Sequence, residues 1–424
     1  EPWVAAAPKS AAAAAARRPR RWHLQVPARV RARTLGAGPP AAYRVAMRLT
    51  TLAFTSCLVA ACGGGDPQPG VDAGPSADAA VDAALDSAGP TTVGGCGPTA
   101  LDLCDWIPAP ADRYAPATPV TVALDYADVT GATRTFEVAV RAPIGAPEPL
   151  PVVVWSHGGN DGRNDALGVG TEWAAILVAA GYLVIDIAHA PRGPASIQAL
   201  CDHLGYDAVG CVMFKYLHWD RPHDAARVFD FVAAQAAAGP WAGRIDPARI
   251  VYAGHSAGSG GVLMVDGAPR DFAGQLVALP DPRPVAFLAN SPQGPGDEGF
   301  VEASFAGCAR PTLVNTGVGD DTNVLGVNRT RSFDLMPPGD KFRLYVREPA
   351  ARHTTFDQNG DACATYSAQQ GLDPARCDLY RQWIASAALA FLDAYARDSA
   401  AARAYLASAN LAVLAGDGAT WDRR

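Results

Sequence analysis

The residues with the clearest chemical potential are Gly254-His255-Ser256-Ala257-Gly258, a G-x-S-x-G pattern. An apolar, β-branched run at 249–253 precedes it, and small residues that favour a helix follow it. A serine between such glycines suits a strained strand-to-helix turn that exposes its hydroxyl as a nucleophile. With 42 glycines in the chain the pattern alone is weak evidence, but its setting predicts Ser256 as a catalytic nucleophile. The alternative is a glycine-rich turn that only packs a helix on a sheet.

A nucleophilic serine needs a base and an acid, and we expect both after the serine, with the acid first. The strand-like run 311–316 leads into Gly317-Val318-Gly319-Asp320-Asp321, and the run 341–346 is followed by His353, the only histidine beyond the G-x-S-x-G pattern. We therefore predict His353 as the base and Asp320 as the acid. Asp321 is the alternative acid because spacing does not separate neighbours, and solvated surface roles remain open for all three.

A serine nucleophile also needs N–H groups that stabilise the oxyanion of the reacting carbonyl. The apolar run 150–156 ends in His157-Gly158-Gly159, which predicts a buried strand followed by a glycine turn. Gly158 is the first candidate donor, and Ala257, which follows the serine, is the second. A plain glycine turn at 157–159 is the alternative.

Strand-like and helix-like segments alternate along the chain and must position these residues. We predict strands near 120–124, 134–141, 151–156, 182–187, 249–254, 285–289, 311–316 and 341–346, and helices near 171–180, 222–238, 257–267, 378–396 and 400–414. This alternation predicts an α/β fold with a mostly parallel sheet and helices on both faces. The predicted site residues then lie at the carboxyl ends of strands, where such folds bind ligands.

Residues 190–219 form the longest insertion between a strand and a helix, with Phe214, Tyr216 and Trp219 within it. We predict an aromatic, disulfide-pinned loop that covers an apolar acyl or alcohol group of the substrate. Ordinary loop packing is an equal alternative.

Together these motifs resemble the α/β-hydrolase superfamily. The most similar group is the dienelactone-hydrolase-like one, which includes platelet-activating-factor acetylhydrolase-like and bacterial polyester-hydrolase-like enzymes. The resemblance covers about residues 115–397 and rests on segments 157–159, 181–191, 221–224 and 254–258, on the Asp320 loop and on His353. It implies a serine esterase that works without a metal or an organic cofactor. Within it, Asp186 and His189 resemble loop architecture, and Arg221 and Asp224 resemble structural ion-pair partners.

Three functions compete at this point. The first is a secreted or surface-anchored serine hydrolase that cleaves carboxylic esters through an acyl-enzyme. The second is a peptidase or thioesterase on the same scaffold. The third is a non-catalytic surface binding lipoprotein, which the presence of Ser256, Asp320 and His353 disfavours.

The first 95 residues do not resemble a folded domain. Residues 1–46 hold nine basic residues and one acidic residue, and we interpret them as a non-native or unstructured leader. A basic nucleic-acid-binding arm or a longer genuine leader is the alternative. Met47-Arg48 and the short apolar run after it predict a lipoprotein signal peptide at 47–61, too short to span a bilayer. Cys62 is then the lipidated residue, 62–95 a disordered Gly/Pro/Asp-Ala tether and 96–424 the catalytic domain.

Charge and cysteine content fit an exported protein. The chain has 35 basic and 42 acidic residues; residues 1–61 contain ten of the basic ones and one of the acidic ones, so 62–424 carry a formal charge of −16. This charge disfavours nucleic acid as a partner and leaves the lipid at Cys62 as the only membrane contact.

The cysteines lack zinc-ligand spacing, which favours disulfides in an oxidising compartment. Local pairing predicts Cys96–Cys104, Cys201–Cys211 and Cys363–Cys377, with Cys308 left over. We expect a protein exported to the bacterial cell envelope, lipid-anchored or secreted.

Overall fold

A computed structural model describes residues 104–159, 162–214, 218–321 and 329–424. All of them fall within one compact unit, Ala84–Arg424. The predicted leader 1–46, signal peptide 47–61, tether 62–95 and lipidated Cys62 lie outside the described residues and stay predictions. No helix among the described residues is long and apolar enough to cross a membrane.

The described chain is built on a mixed sheet of nine strands. The strands are β1 (Val120–Ala127), β2 (Thr133–Arg141), β3 (Leu150–Ser156), β4 (Leu183–Ile187), β5 (Ile245–His255), β8 (Pro284–Asn290), β9 (Thr312–Gly317), β10 (Lys341–Val346) and β11 (Ala419–Arg423), while β6 (Arg270–Phe272) and β7 (Gln275–Val277) form a separate hairpin. Their order is β1-β2-β4-β3-β5-β8-β9-β10-β11. From β4 to β10 the neighbours are parallel, whereas β1, β2 and β11 are antiparallel to theirs. The predicted α/β class and mostly parallel sheet are confirmed.

Helices cover both faces of this sheet. They are α1 (Thr171–Ala179), α2 (Pro194–Leu204), α3 (Ala208–Phe214), α4 (Asp220–Ala238), α5 (Ala257–Asp266), α6 (Val318–Asp321), α7 (Arg331–Leu335), α8 (Gly360–Gln369), α9 (Arg376–Ala396), α10 (Ala400–Ala407) and α11 (Asn410–Ala415). Side chains of a strand alternate between faces. Val153 and Trp155 of β3 accordingly pack with α1 and α9, and Val152 and Val154 pack with α4 and α5. Since β3 is buried on both sides, its sequence is apolar from Leu150 to Trp155, and only its last residue, Ser156, is polar.

Two sequence predictions of local structure were wrong. The segment 190–219 contains helices α2 and α3 instead of a loop; Pro194 begins α2, and Gly205, with φ 80°, ends it. These are the usual start and stop residues of a helix. The single helix predicted at 400–414 is divided into α10 and α11, because Ser408 is extended and its hydroxyl accepts the N–H of Asn410 at 3.1 Å.

Two of the predicted disulfides are confirmed. Cys201 bonds to Cys211 and joins α2 to α3, and Cys363 bonds to Cys377 and joins α8 to α9. Cys308, the predicted unpaired residue, is buried with a free thiol. Cys104 is disulfide-bonded as well, but Cys96 lies outside the described residues, so that pairing stays a prediction. The bridges indicate an oxidising, extracytoplasmic location.

Candidate active site

The predicted site residues converge at one edge of the sheet. Ser256 directly follows β5, Asp320 lies in α6 immediately after β9, and His353 begins a 3-10 turn after β10. Gly158 lies two residues beyond the end of β3. Because these strands are parallel, their carboxyl ends lie side by side, and the loops after them bring Ser256, Asp320 and His353 into hydrogen-bond contact.

The turn that holds Ser256 is sterically tight. Its backbone has φ 53° and ψ −120°, a region that costs energy for any residue with a side chain. A Cβ at Gly258 would lie 2.0 Å from the carbonyl oxygen of Ser156, and one at Gly254 would lie 2.7 Å from the carbonyl carbon of Gly258. Both glycines are therefore required for α5 to start this close to β3. The outcome is a serine held at a sharp turn between β5 and α5.

Ser256, His353 and Asp320 form a continuous hydrogen-bonded line. Nε2 of His353 lies 2.8 Å from Oγ of Ser256, and Nδ1 lies 2.8 Å from Oδ1 of Asp320. Burial raises the pKa of Asp320, but the hydrogen bond from His353 and the charge of Arg329 outweigh it and hold the pKa at about 2. An ionised carboxylate only accepts hydrogen bonds, so Nδ1 carries the imidazole proton. Nε2 is then free to accept the proton of Ser256.

Three further side chains hold the carboxylate in place, and the sequence prediction missed them. The hydroxyl of Ser291 donates to Asp320 at 2.6 Å and also lies 2.6 Å from Nδ1 of His353. Thr316 donates at 2.8 Å, and Nε of Arg329 lies 3.2 Å away. Ser291 follows β8 directly, so a search for polar residues at strand ends could have found it. No sequence pattern marks Arg329.

The choice between the neighbouring acids follows from these contacts. Asp320 contacts His353 and is fully buried. Asp321 is the last residue of α6, and its side chain lies outside the described structure.

His255, which directly precedes Ser256, contacts the backbone of His353. Nε2 of His255 lies 3.0 Å from the backbone carbonyl oxygen of His353 and donates to it. The two rings lie 4.7 Å apart. Burial lowers the pKa of His255 well below its usual range, so the ring stays neutral. His255 thus holds the main chain of His353, a role that the motif alone did not reveal.

Both predicted oxyanion donors lie beside the nucleophile. Ala257 is the first residue of α5, and the first N–H groups of a helix have no acceptor within the helix. A Cβ at Gly158 would lie 3.3 Å from Cβ of Ser256 and 2.6 Å from Nδ1 of His255. The backbone of Gly158 therefore lies directly against Ser256.

A cavity of about 150 Å³ lies near the loop 157–159 that follows β3. It is under the connection formed by α2 and α3. Apolar side chains of Ile197, Phe214 and Trp219 form part of its lining. His189 and Arg221 line it as well, and both hydrogen-bond to the hydroxyl of Ser156 at the end of β3.

No protein-family model and no curated protein matches this chain. What the site can do chemically follows from its contacts. A hydroxyl faces an unprotonated imidazole nitrogen, a carboxylate fixes the other nitrogen, and the backbones of Gly158 and Ala257 lie beside Ser256. This arrangement suits acyl transfer through a covalent serine intermediate.

Proposed function

We propose that this chain is a serine-dependent carboxylic ester hydrolase with an α/β-hydrolase fold. The observation that carries the proposal is the hydrogen-bonded line from Ser256 through His353 to Asp320. The chain order of serine, acid and histidine and the strained turn at Ser256 support it. So does the parallel sheet whose carboxyl edge holds the three side chains.

Each group has a defined part in this reaction. Nε2 of His353 takes the proton of Ser256 as Oγ attacks the ester carbonyl carbon, and Asp320 stabilises the imidazolium that forms. The N–H groups of Gly158 and Ala257 stabilise the oxyanion. His353 then protonates the departing alcohol and next deprotonates the water that hydrolyses the acyl-enzyme. Neither step requires a metal or an organic cofactor.

We propose an ester substrate with an apolar acyl or alcohol group, which the apolar part of the cavity near the loop 157–159 would receive; charged residues such as Arg192 and Asp220 form the rest of its lining, and Ser256 lies outside it. Ile197, Phe214 and Trp219 contribute apolar walls, and α2 and α3 cover them. An apolar group that enters such a cavity gains about 25 cal/mol for each Å² removed from water. Longer apolar acyl groups should therefore lower KM until the cavity is filled.

The test compares the full chain with a Ser256→Ala variant and with Ser386→Ala as a matched control. Ser386 is buried in α9, where its hydroxyl accepts the N–H of Trp106 at 3.2 Å. With p-nitrophenyl esters of increasing acyl length, Ser256→Ala should fall to background while Ser386→Ala keeps its turnover. Circular dichroism should be unchanged in both.

Substrate class is decided with matched p-nitroanilides and thioesters. Preferred turnover of the anilide supports a peptidase, and preferred turnover of the thioester supports a thioesterase. Retention of most ester turnover by a folded Ser256→Ala variant contradicts the serine mechanism.

We also propose that the protein is anchored by lipid at Cys62, which the extracytoplasmic location indicated by the disulfides supports. Stable anchoring needs more than one acyl chain, and a processed bacterial lipoprotein supplies several. Expressed from Met47 in a bacterium that processes lipoproteins, the protein should fractionate with membranes, and Cys62→Ser should be exported in soluble form. Unchanged membrane partitioning of Cys62→Ser rejects the anchor.

A further inference from the structure

Arg221, at the start of α4, is a buried cation that forms no ion pair with an acidic side chain among the described residues. The residue is 3% exposed, and it forms no ion pair with any described residue. The resemblance implied a structural ion pair here, but Asp224 pairs with Arg134 at 2.7 Å instead. Burying a guanidinium is costly, and the two acidic residues whose charge reaches it, Glu298 and Asp224, are paired with His218 and Arg134. A cation kept at such a position indicates a use for its charge and its donors.

The two terminal nitrogens of Arg221 donate to the end of β3 and to the loop after it. Nη1 lies 2.5 Å from the carbonyl oxygen of His157 and 3.1 Å from Oγ of Ser156. Nη2 lies 2.7 Å from the carbonyl oxygen of Gly159. The guanidinium therefore holds the backbone on both sides of Gly158.

One of these contacts fixes the direction of an N–H group. The carbonyl of His157 and the N–H of Gly158 belong to the same planar trans peptide, so they point in opposite directions. A donor bound to that oxygen sets where the N–H points. A charged donor on a carbonyl also polarises the amide and makes its N–H a stronger donor. The backbone of Gly158 lies against Ser256.

We propose that Arg221 is a positioning residue of the oxyanion hole: it orients and polarises the His157–Gly158 peptide so that the Gly158 N–H stabilises the oxyanion. This inference rests on the proposed esterase function. The positive charge of Arg221 acts in the same direction, because it favours negative charge on the nearby substrate oxygen.

A buried hydrogen-bond network holds Ser156, one of the partners of Arg221, in place. Nε2 of His189 lies 2.7 Å from Oγ of Ser156, and Nδ1 lies 2.9 Å from Asp224, which Arg134 holds with two hydrogen bonds. Burial lowers the pKa of His189 well below its usual range, so the ring is neutral and its Nδ1–H faces the carboxylate. The hydroxyl of Ser156 then donates to His189 and presents its lone pairs to Arg221. Ser156 is fully buried, so this second Ser–His–Asp set orients the loop and is no second nucleophile.

The test uses Arg221→Met and Arg221→Lys in the full chain, with Arg310→Met as the matched control. Arg310 also donates to backbone carbonyls, those of Val265 and Pro284, but Pro284 begins β8 at the opposite edge of the sheet. The readouts are kcat and KM for a p-nitrophenyl ester and Ki for an alkyl boronic acid. The boronic acid accepts an electron pair from Oγ of Ser256 and forms a tetrahedral adduct, while His353 takes the serine proton.

For Arg221→Met we expect kcat to fall about 100-fold with KM changed less than about threefold, the size of losing one oxyanion donor. Ki should rise by the same factor as kcat/KM falls, because both depend on stabilising the tetrahedral state. Arg221→Lys should recover part of the loss, since it keeps the charge but not the forked donors. Arg310→Met should lower the melting temperature and leave kcat unchanged.

Unchanged kcat and Ki in a folded Arg221→Met variant overturn the inference, as does a fall in kcat without the matching rise in Ki. If Arg221→Met does not fold, wild-type kcat and Ki in Arg221→Lys overturn it instead. Failure of the proposed function is separate, because wild-type protein would then lack turnover that depends on Ser256.

Discussion

Replacement of Asp320 by asparagine tests the site most directly. The carboxylate accepts hydrogen bonds from His353, Ser291 and Thr316. An amide presents an NH₂ group in place of one oxygen, so the imidazole loses an acceptor or adopts the tautomer with its proton on Nε2. That tautomer cannot take the proton of Ser256. We expect kcat/KM to fall about 10⁴-fold, which corresponds to about 5.5 kcal/mol in the activation barrier.

The same substitution should lower stability by an amount that depends on pH. The pKa of Asp320 is about 2 in the folded protein against an ordinary value of 3.8, and the group is fully buried, so ionisation contributes about 2 kcal/mol to the free energy of unfolding. Because the folded pKa is the lower one, this contribution is present above about pH 4 and disappears as the pH falls to about 2. The stability difference between wild type and Asp320→Asn should shrink across that window.

The assay combines ester turnover at pH 7 with urea unfolding followed by circular dichroism at pH 7 and at lower pH values. Asp393→Asn is the matched control: Asp393 is buried and bonded to Trp106 and Arg397, on the face of the sheet covered by α9. It should lose stability and keep kcat. The reasoning is refuted if Asp320→Asn keeps more than about a tenth of wild-type kcat, or if Asp321→Asn shows the severe loss instead.

Three further outcomes are expected. Gly258→Ala should fold poorly, because its Cβ would lie 2.0 Å from the carbonyl oxygen of Ser156; a wild-type melting temperature contradicts this. Ser291→Ala removes a donor to Asp320 and should lower kcat about 10-fold and shift acid unfolding to higher pH, checked by rate and pH titration. Burial raises the pKa of the Cys308 thiol well above its usual range, so a thiol reagent should label Cys308 only in denaturant, and rapid labelling of native protein would show the assignment to be wrong.

Much of the candidate site could be predicted from the sequence, because its signals are local. A serine between close glycines after a strand, a carboxylate after another strand and a histidine after a third are each visible within a few residues. Parallel strands bring their carboxyl ends to one edge, so the positions of Ser256, Asp320 and His353 could be expected to meet. The two described disulfides close short loops, and local pairing was enough to find them.

The contacts that complete the site depend on tertiary structure. Ser291 is 62 residues from His353, and Arg221 is 64 residues from His157, so no local pattern relates them. Strand β11 was missed for the same reason: its short polar sequence becomes a strand through pairing with β10 and the stacking of Trp421 on Phe342. Sequence patterns were enough to predict Ser256, Asp320 and His353 as the candidate catalytic residues and to place them at the carboxyl ends of the strands. The supporting side chains, Ser291 and Arg221, could be identified only from the tertiary structure. The reason is that sheet register and the packing of α4 set the distances between segments that are far apart in the sequence.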